Sequence, residues 1–181
     1  TTTSPSMDIL ISSNLERLLY HMSGENAELV ADLMGQLSDK GEYTVSDELI
    51  ASIKEIFSAG YTSEENVDST IKAHFDGFKY LCDTHTAVAV KVYDDYVAET
   101  GDDIPTVIDS TASPYKFSAS VLNALDGDTA QLDEFEMVDA LNKATDADVP
   151  KPLASLKDKT VRFTDVCNKE DMSQMVFKLL D

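Results

Sequence analysis

The chain is short of basic residues, of cysteine, and of the glycine-rich or long apolar runs that mark several common functions. Lysine and arginine number 14 against 34 acidic residues, so the net charge is -20. Such a surface repels phosphate backbones, which argues against nucleic acid and against anionic membranes as partners. The two cysteines, Cys82 and Cys167, form no CxxC pair, so neither a disulfide framework nor a zinc site is expected. That usage fits a reduced, cytoplasmic setting. The histidines His21, His74 and His85 have no ligand spacing, so no metal is expected. No run approaches the roughly 18 apolar residues of a membrane span, and no signal peptide is read. The first residue is Thr1, which leads us to expect processing or a piece of a longer protein.

What is present is ordinary for a globular chain. Hydrophobic residues make up 43% of 181 residues, enough for one domain that buries roughly 70% of its unfolded surface. The acids are scattered through amphipathic segments and read as a solvated surface. Helices are expected at 15–22 behind Ser12-Ser13-Asn14, at 26–37, and after the caps Ser46 and Ser63. Their inward stripes are Leu29, Val30, Leu33, Met34 and Leu37, then Leu49, Ile50, Ile53, Ile56 and Phe57, then Val67, Ile71, Phe75 and Phe78. Residues 87–93 read as helix, although the alternation of Val88, Val90 and Val92 also suits a strand. Further helices are expected at 113–125 and 133–141, and a last one behind Asn168 with Met172, Met175, Val176, Leu179 and Leu180 buried. Residues 146–152, with two prolines, are the best internal linker. Short strands are expected at 80–82, 105–109 and 161–163, too few for a sheet of their own. They suit the edge of a sheet whose remainder lies elsewhere. The fold class is therefore α/β, mainly helical in content with a few short strands.

The stretch that organises the chain is Val107-Ile108-Asp109-Ser110-Thr111-Ala112-Ser113-Pro114-Tyr115-Lys116-Phe117. A β-branched pair gives way to small hydroxyl residues, then to Pro114 at the first helical position with Ser113 as cap. Hydroxyls and backbone N–H groups gathered at such a junction are where α/β proteins hold ligands. An ordinary strand-to-helix connection is the other reading.

Four words in order resemble the C-terminal part of threonine synthase: Ser6-Met7-Asp8; Ser12-Ser13-Asn14-Leu15-Glu16-Arg17; Asp83-Thr84-His85-Thr86-Ala87-Val88-Ala89; and Ser110-Thr111-Ala112-Ser113-Pro114-Tyr115-Lys116-Phe117. The resemblance implies a fold type II enzyme dependent on pyridoxal 5'-phosphate (PLP), with residues 1–181 as a single C-terminal fragment. Its reaction converts O-phosphohomoserine and water to threonine and inorganic phosphate, with the cofactor as electron sink. The family's Schiff-base lysine, in a Ser-Phe-Lys-Asp-type motif, and its phosphate-cradling loop match nothing here. The resemblance therefore implies that no catalytic residue lies in this chain, that the fragment alone is inactive, and that its partner is the missing N-terminal part of the same protein.

By the same resemblance Thr111 holds the position whose hydroxyl faces the pyridine nitrogen of PLP. Ser110, Ser113, Lys116 and His85 are near-site residues, the last three each with a second reading. Some relatives carry histidine where Ser113 stands, and Ser113 also reads as a helix cap. Lys116 either attracts the substrate phosphate or is a surface lysine; it is not the Schiff-base residue. His85 is either close to the cofactor or a packing and hydrogen-bonding residue. Asp8, Asn14 and Arg17 read as structural. The competing function is an acidic helical module that binds a protein partner and performs no chemistry.

Overall fold

The computed structural model describes residues 1–9 and 11–180. Leu10, part of the apolar run at 7–11, lies outside the described residues. The chain divides into two compact units, Thr1–Ala147 and Asp148–Asp181.

The larger unit carries α1 (Ser13–Met22), α2 (Ala27–Lys40), α3 (Asp47–Lys54), α4 (Glu64–Phe78), α5 (Thr84–Thr100), α6 (Ser118–Ala124) and α7 (Glu134–Thr145). Their starts follow from the sequence. Ser12, Asn26, Ser46, Ser63, Asp83 and Asp133 each accept a backbone N–H of the first turn, satisfying donors that the helix itself leaves open. Asp133 and Glu136 close a full capping box, each bond 2.8 Å. Helices α2 and α5 end at Gly41 and Gly101, both left-handed, where only glycine escapes the Cβ clash.

Leu19 of α1, Leu33 of α2 and Leu49 of α3 form one buried cluster, with Met22, Leu29, Val30, Met34, Tyr43, Val45 and Ile53 around it. Helix α4 packs on α5 and α6, and α6 packs on α7. The apolar residues buried between these four helices include Val67 and Ile71, Ala87 and Val90, Val121 and Leu122, and Val138 and Leu141. Two glycines mark close approaches. A Cβ on Gly60 would lie 2.8 Å from a methyl of Val92 in α5. One on Gly127 would lie 2.5 Å from the Leu122 side chain, in the turn that ends α6. There Gly127 N–H donates to Leu122 O at 2.9 Å, and Asp126 takes the left-handed position.

The smaller unit contains α8 (Lys151–Ala154), a 3-10 turn (Lys169–Asp171) and α9 (Met172–Leu180). Helix α8 falls at the end of the proline-containing stretch 146–152.

Several expectations need correction. Among the described residues there is no β-strand, so the short strands at 80–82, 105–109 and 161–163 are not formed. An isolated strand leaves its N–H and C=O groups without partners, and the described residues supply no neighbour. Val107 and Val161 are 88% and 74% exposed, so these segments bury no apolar face either. Residues 87–93 are helical, with the capped start at Asp83 overriding the valine alternation. The helix expected at 113–125 begins as a 3-10 turn, Pro114–Phe117, before α6. Helix α3 stops at Lys54, leaving Ile56 and Phe57 exposed, and Phe78 at the end of α4 is exposed too. Asn168 makes no cap onto the backbone, and Met172, Val176, Leu179 and Leu180 are more than half exposed. The α9 stripe is amphipathic in sequence but largely exposed among the described residues.

The three-leucine cluster predicts a specific loss. Leu33→Ala removes a buried side chain from this cluster, and should cost about 2–5 kcal/mol in urea unfolding. A loss within 0.5 kcal/mol would show that α1–α3 do not form a cooperative core.

Candidate functional site

The site is built on the start of α5. Asp83 is fully buried, as are Cys82 and Thr84, and His85 and Thr86 are nearly so. The Asp83 carboxylate accepts from the His85 backbone N–H at 2.9 Å and the Thr86 N–H at 3.4 Å. Its Oδ1 lies 3.1 Å from His85 Nδ1, and its Oδ2 accepts the Thr86 hydroxyl. A negative charge at a helix N-terminus is stabilised both by these donors and by the peptide dipoles behind them.

The same bonds fix the histidine. The Ser6 backbone N–H donates to His85 Nε2 at 3.1 Å, so Nε2 is an acceptor and carries no proton. The ring proton therefore sits on Nδ1, facing Asp83. Phe117 packs on the imidazole with ring centres 4.7 Å apart. Thr84 Oγ1 donates to Thr3 O at 2.9 Å, and Thr3 N–H donates to Glu64 Oε2 at 2.9 Å. Residues 3–6 are thus held between α4 and α5. Beyond them the Thr2 N–H donates to Asp8 and holds that carboxyl below its ordinary range.

From Thr86 the network reaches the hydroxyl-rich stretch. Thr86 Oγ1 lies 3.1 Å from Ser110 Oγ. The Thr86 hydroxyl has one proton, and the carboxylate, which only accepts, takes it; Ser110 therefore donates to Thr86. Ser113 caps the 3-10 turn, accepting the Tyr115 N–H at 3.3 Å. Tyr115 is buried, and its hydroxyl donates to Ala147 O at 2.5 Å. Between these anchors Thr111 is exposed, and its hydroxyl has no partner among the described residues. Lys116 is exposed as well.

The structure thus brings Ser110 and His85 into one network through Thr86 and Asp83, with Thr111 beside it in the chain. It leaves Lys116 out. Asn14 accepts from Arg17 along α1, while Ser12 is the cap. No group of three or more potential metal ligands occurs among the described residues.

A family model for the C-terminal domain of threonine synthase matches residues 86–176, half of the chain. The chain belongs to the threonine synthase family. Threonine synthase of Saccharomyces cerevisiae is 35% identical over 140 residues, covering 70% of this chain and 27% of the yeast protein. Threonine synthase-like 1 of Homo sapiens is 35% identical over 124 residues, 68% of this chain and 16% of the human protein. A crystal structure of PLP-bound threonine synthase from Brucella melitensis superposes on 99% of this chain with a TM-score of 0.76 and 31% identity. The chain spans 34% of that structure's length, and about a quarter of the yeast sequence.

Reading the sequence missed the residue at the centre of this threonine synthase domain. Asp83 was visible only as the first letter of a family word. The signal that points to it is an acidic residue immediately before a Thr-His-Thr run that opens an apolar segment. Ser6 had no such signal, because its contribution is a backbone N–H.

Two outcomes follow. Asp83→Ala removes the cap and leaves the His85 ring N–H and the Thr86 hydroxyl without their acceptor, so stability should fall by roughly 2–4 kcal/mol. Little change on thermal or urea unfolding would contradict the network. Cys82, next to this carboxylate, has its thiol pushed up to about 11 by burial first and by Asp83 second. Its thiolate fraction at pH 8 is about one in a thousand, so a thiol reagent should label Cys167 in the native protein and reach Cys82 only after unfolding. Since the folded thiol holds its proton longer than the unfolded one, stability should decline as pH rises from about 9 toward 11. Equal labelling of both cysteines in the native state would contradict the burial of Cys82.

Proposed function

We propose that this chain is the C-terminal part of a PLP-dependent threonine synthase, the enzyme that converts O-phosphohomoserine and water to threonine and inorganic phosphate. The observation that carries this reading is the stretch 110–117, anchored at Ser110, Ser113 and Tyr115 with the Thr111 hydroxyl left unpartnered between them. The cofactor's presence in the solved Brucella relative supports the same reading. The match of half the chain to the family's C-terminal domain adds the family context.

The residues here fit one edge of pyridoxal phosphate. A free hydroxyl at Thr111 would suit an unprotonated ring nitrogen, to which it would donate, whereas a carboxylate would hold that nitrogen as a charged pyridinium. When bound, the cofactor supplies an electron sink for loss of phosphate and for addition of water. The chain's own part is to orient. Ser110 and Ser113 fix the backbone on either side of Thr111, and Tyr115 ties the following turn to Ala147. His85 lies inside the network with both ring nitrogens engaged, which favours its packing and hydrogen-bonding role over direct contact with substrate. Lys116 stands exposed in the first turn after Pro114, where it would meet an anionic substrate only if the remainder of the enzyme closes over it.

The lysine that carries the cofactor and the phosphate-binding loop then come from outside residues 1–181, and the chain alone is inactive. The segment 104–108, which forms no strand here and is exposed at Ile104 and Val107, is the place where the α/β sheet of the complete protein would take up this chain. A cytoplasmic, soluble enzyme is the expected setting.

The test is phosphate release from O-phosphohomoserine with added PLP, by this chain and by the full-length protein. Activity in the full-length protein alone is expected; activity in neither rejects the assignment and favours the protein-binding module. In the full-length protein Thr111→Val should lower kcat/KM by about 10- to 100-fold, the value of one hydrogen bond to a polarised group, while the unfolding midpoint stays within a degree or two. Unchanged turnover would remove Thr111 from the site.

A further inference from the structure

The cofactor-facing hydroxyl assigned to Thr111 sits in a loop that makes no hydrogen bond through Thr111 itself among the described residues. Something else must hold it still, because a catalytic contact is useful only within a fraction of an ångström of its productive position. The neighbouring residue supplies an anchor. Ser110 Oγ is 3.1 Å from Thr86 Oγ1, and Thr86 Oγ1 donates to Asp83 Oδ2. Ser110 is solvent-exposed, whereas Thr86 and Asp83 are buried, so the chain of hydroxyls runs from the surface loop to the buried start of α5. Asp83 in turn is held by the first turn of α5 and by His85, and His85 by Ser6 and Phe117. No other side chain of residues 104–111 bonds to a helix of this unit among the described residues.

We propose that Asp83, Thr86 and Ser110 form a hydrogen-bonded relay that positions Thr111 toward the pyridine ring of the cofactor. The inference rests on the reading of Thr111 given above and extends it to residues that touch neither cofactor nor substrate. The polarity of the relay is fixed: Ser110 O–H donates to Thr86, and Thr86 O–H donates to the carboxylate. Removing the Thr86 hydroxyl leaves the Ser110 proton without its acceptor and releases the loop toward solvent. Thr86→Val conserves shape and burial while deleting the one atom that links the two halves of the relay.

The experiment uses the full-length protein loaded with PLP, and measures the PLP dissociation constant and the visible absorbance maximum of the bound cofactor beside turnover. Thr86→Val and Ser110→Ala should each weaken PLP binding by about 3- to 10-fold, the value of one ordinary hydrogen bond. Both should shift the absorbance band in the direction that Thr111→Val shifts it. The double variant should be no weaker than the weaker single, because the two changes cut one chain. Thr86→Ser, which restores the hydroxyl, should restore affinity and band together. Circular dichroism melting separates these effects from loss of fold; if Thr86→Val does not fold, Ser110→Ala, a surface change, carries the test. Parental affinity and absorbance in Thr86→Val and Ser110→Ala, with Thr111→Val altered, would overturn the relay and leave the role of Thr111 standing. Parental values in Thr111→Val would overturn both.

Discussion

Burying a carboxylate is costly unless donors replace the water it loses, and Asp83 has four: two backbone N–H groups, an imidazole N–H and a hydroxyl. This arrangement ties together parts of the chain that are remote in sequence. Through His85 it reaches Ser6, near the N-terminus, and through Thr86 it reaches Ser110. The start of α5 is thereby the fixed point of the larger unit. A half-satisfied version of such a network would be worse than an apolar core, so its members depend on one another.

The consequence for function is a division of labour. Groups that are fully engaged, His85 and Asp83 above all, are poor candidates for proton transfer to a substrate, since their donors and acceptors are already committed. The group left open is Thr111, exposed between anchored neighbours. A buried hydrogen-bonded frame beside an open hydroxyl suits the proposed division, in which the protein supplies orientation and the cofactor the chemistry. The exposed apolar residues at Ile104, Val107 and along α9 belong to the same picture: this chain spans about a third of the solved Brucella threonine synthase.

Much of the fold was legible in the sequence because helix starts are local. Ser12, Ser46 and Ser63 are capping residues followed by apolar periodicity, and the structure uses them in that way, while Asn26, read as the first residue of its helix, is the cap of α2. The alternating valines of α5 were ambiguous until the cap at Asp83 settled the backbone. Strands were misread for the opposite reason. Val107-Ile108 and Val161-Arg162-Phe163 have the composition of strands, but pairing depends on a neighbour that composition does not reveal. The site was half legible. Family words located the segments 83–89 and 110–117, but the bonds joining them, Thr86 to Ser110 and Ser6 to His85, span 24 and 79 residues and leave no local trace.

The measurement that tests this account most directly is the protonation pattern of His85 in the native protein, read from its ring nitrogens by 15N NMR at neutral pH. The account predicts a neutral imidazole with the proton on Nδ1, bonded to Asp83, and a bare Nε2 accepting from Ser6. A proton on Nε2 would leave the Ser6 N–H without an acceptor and would contradict the network on which the placement of Thr111 depends.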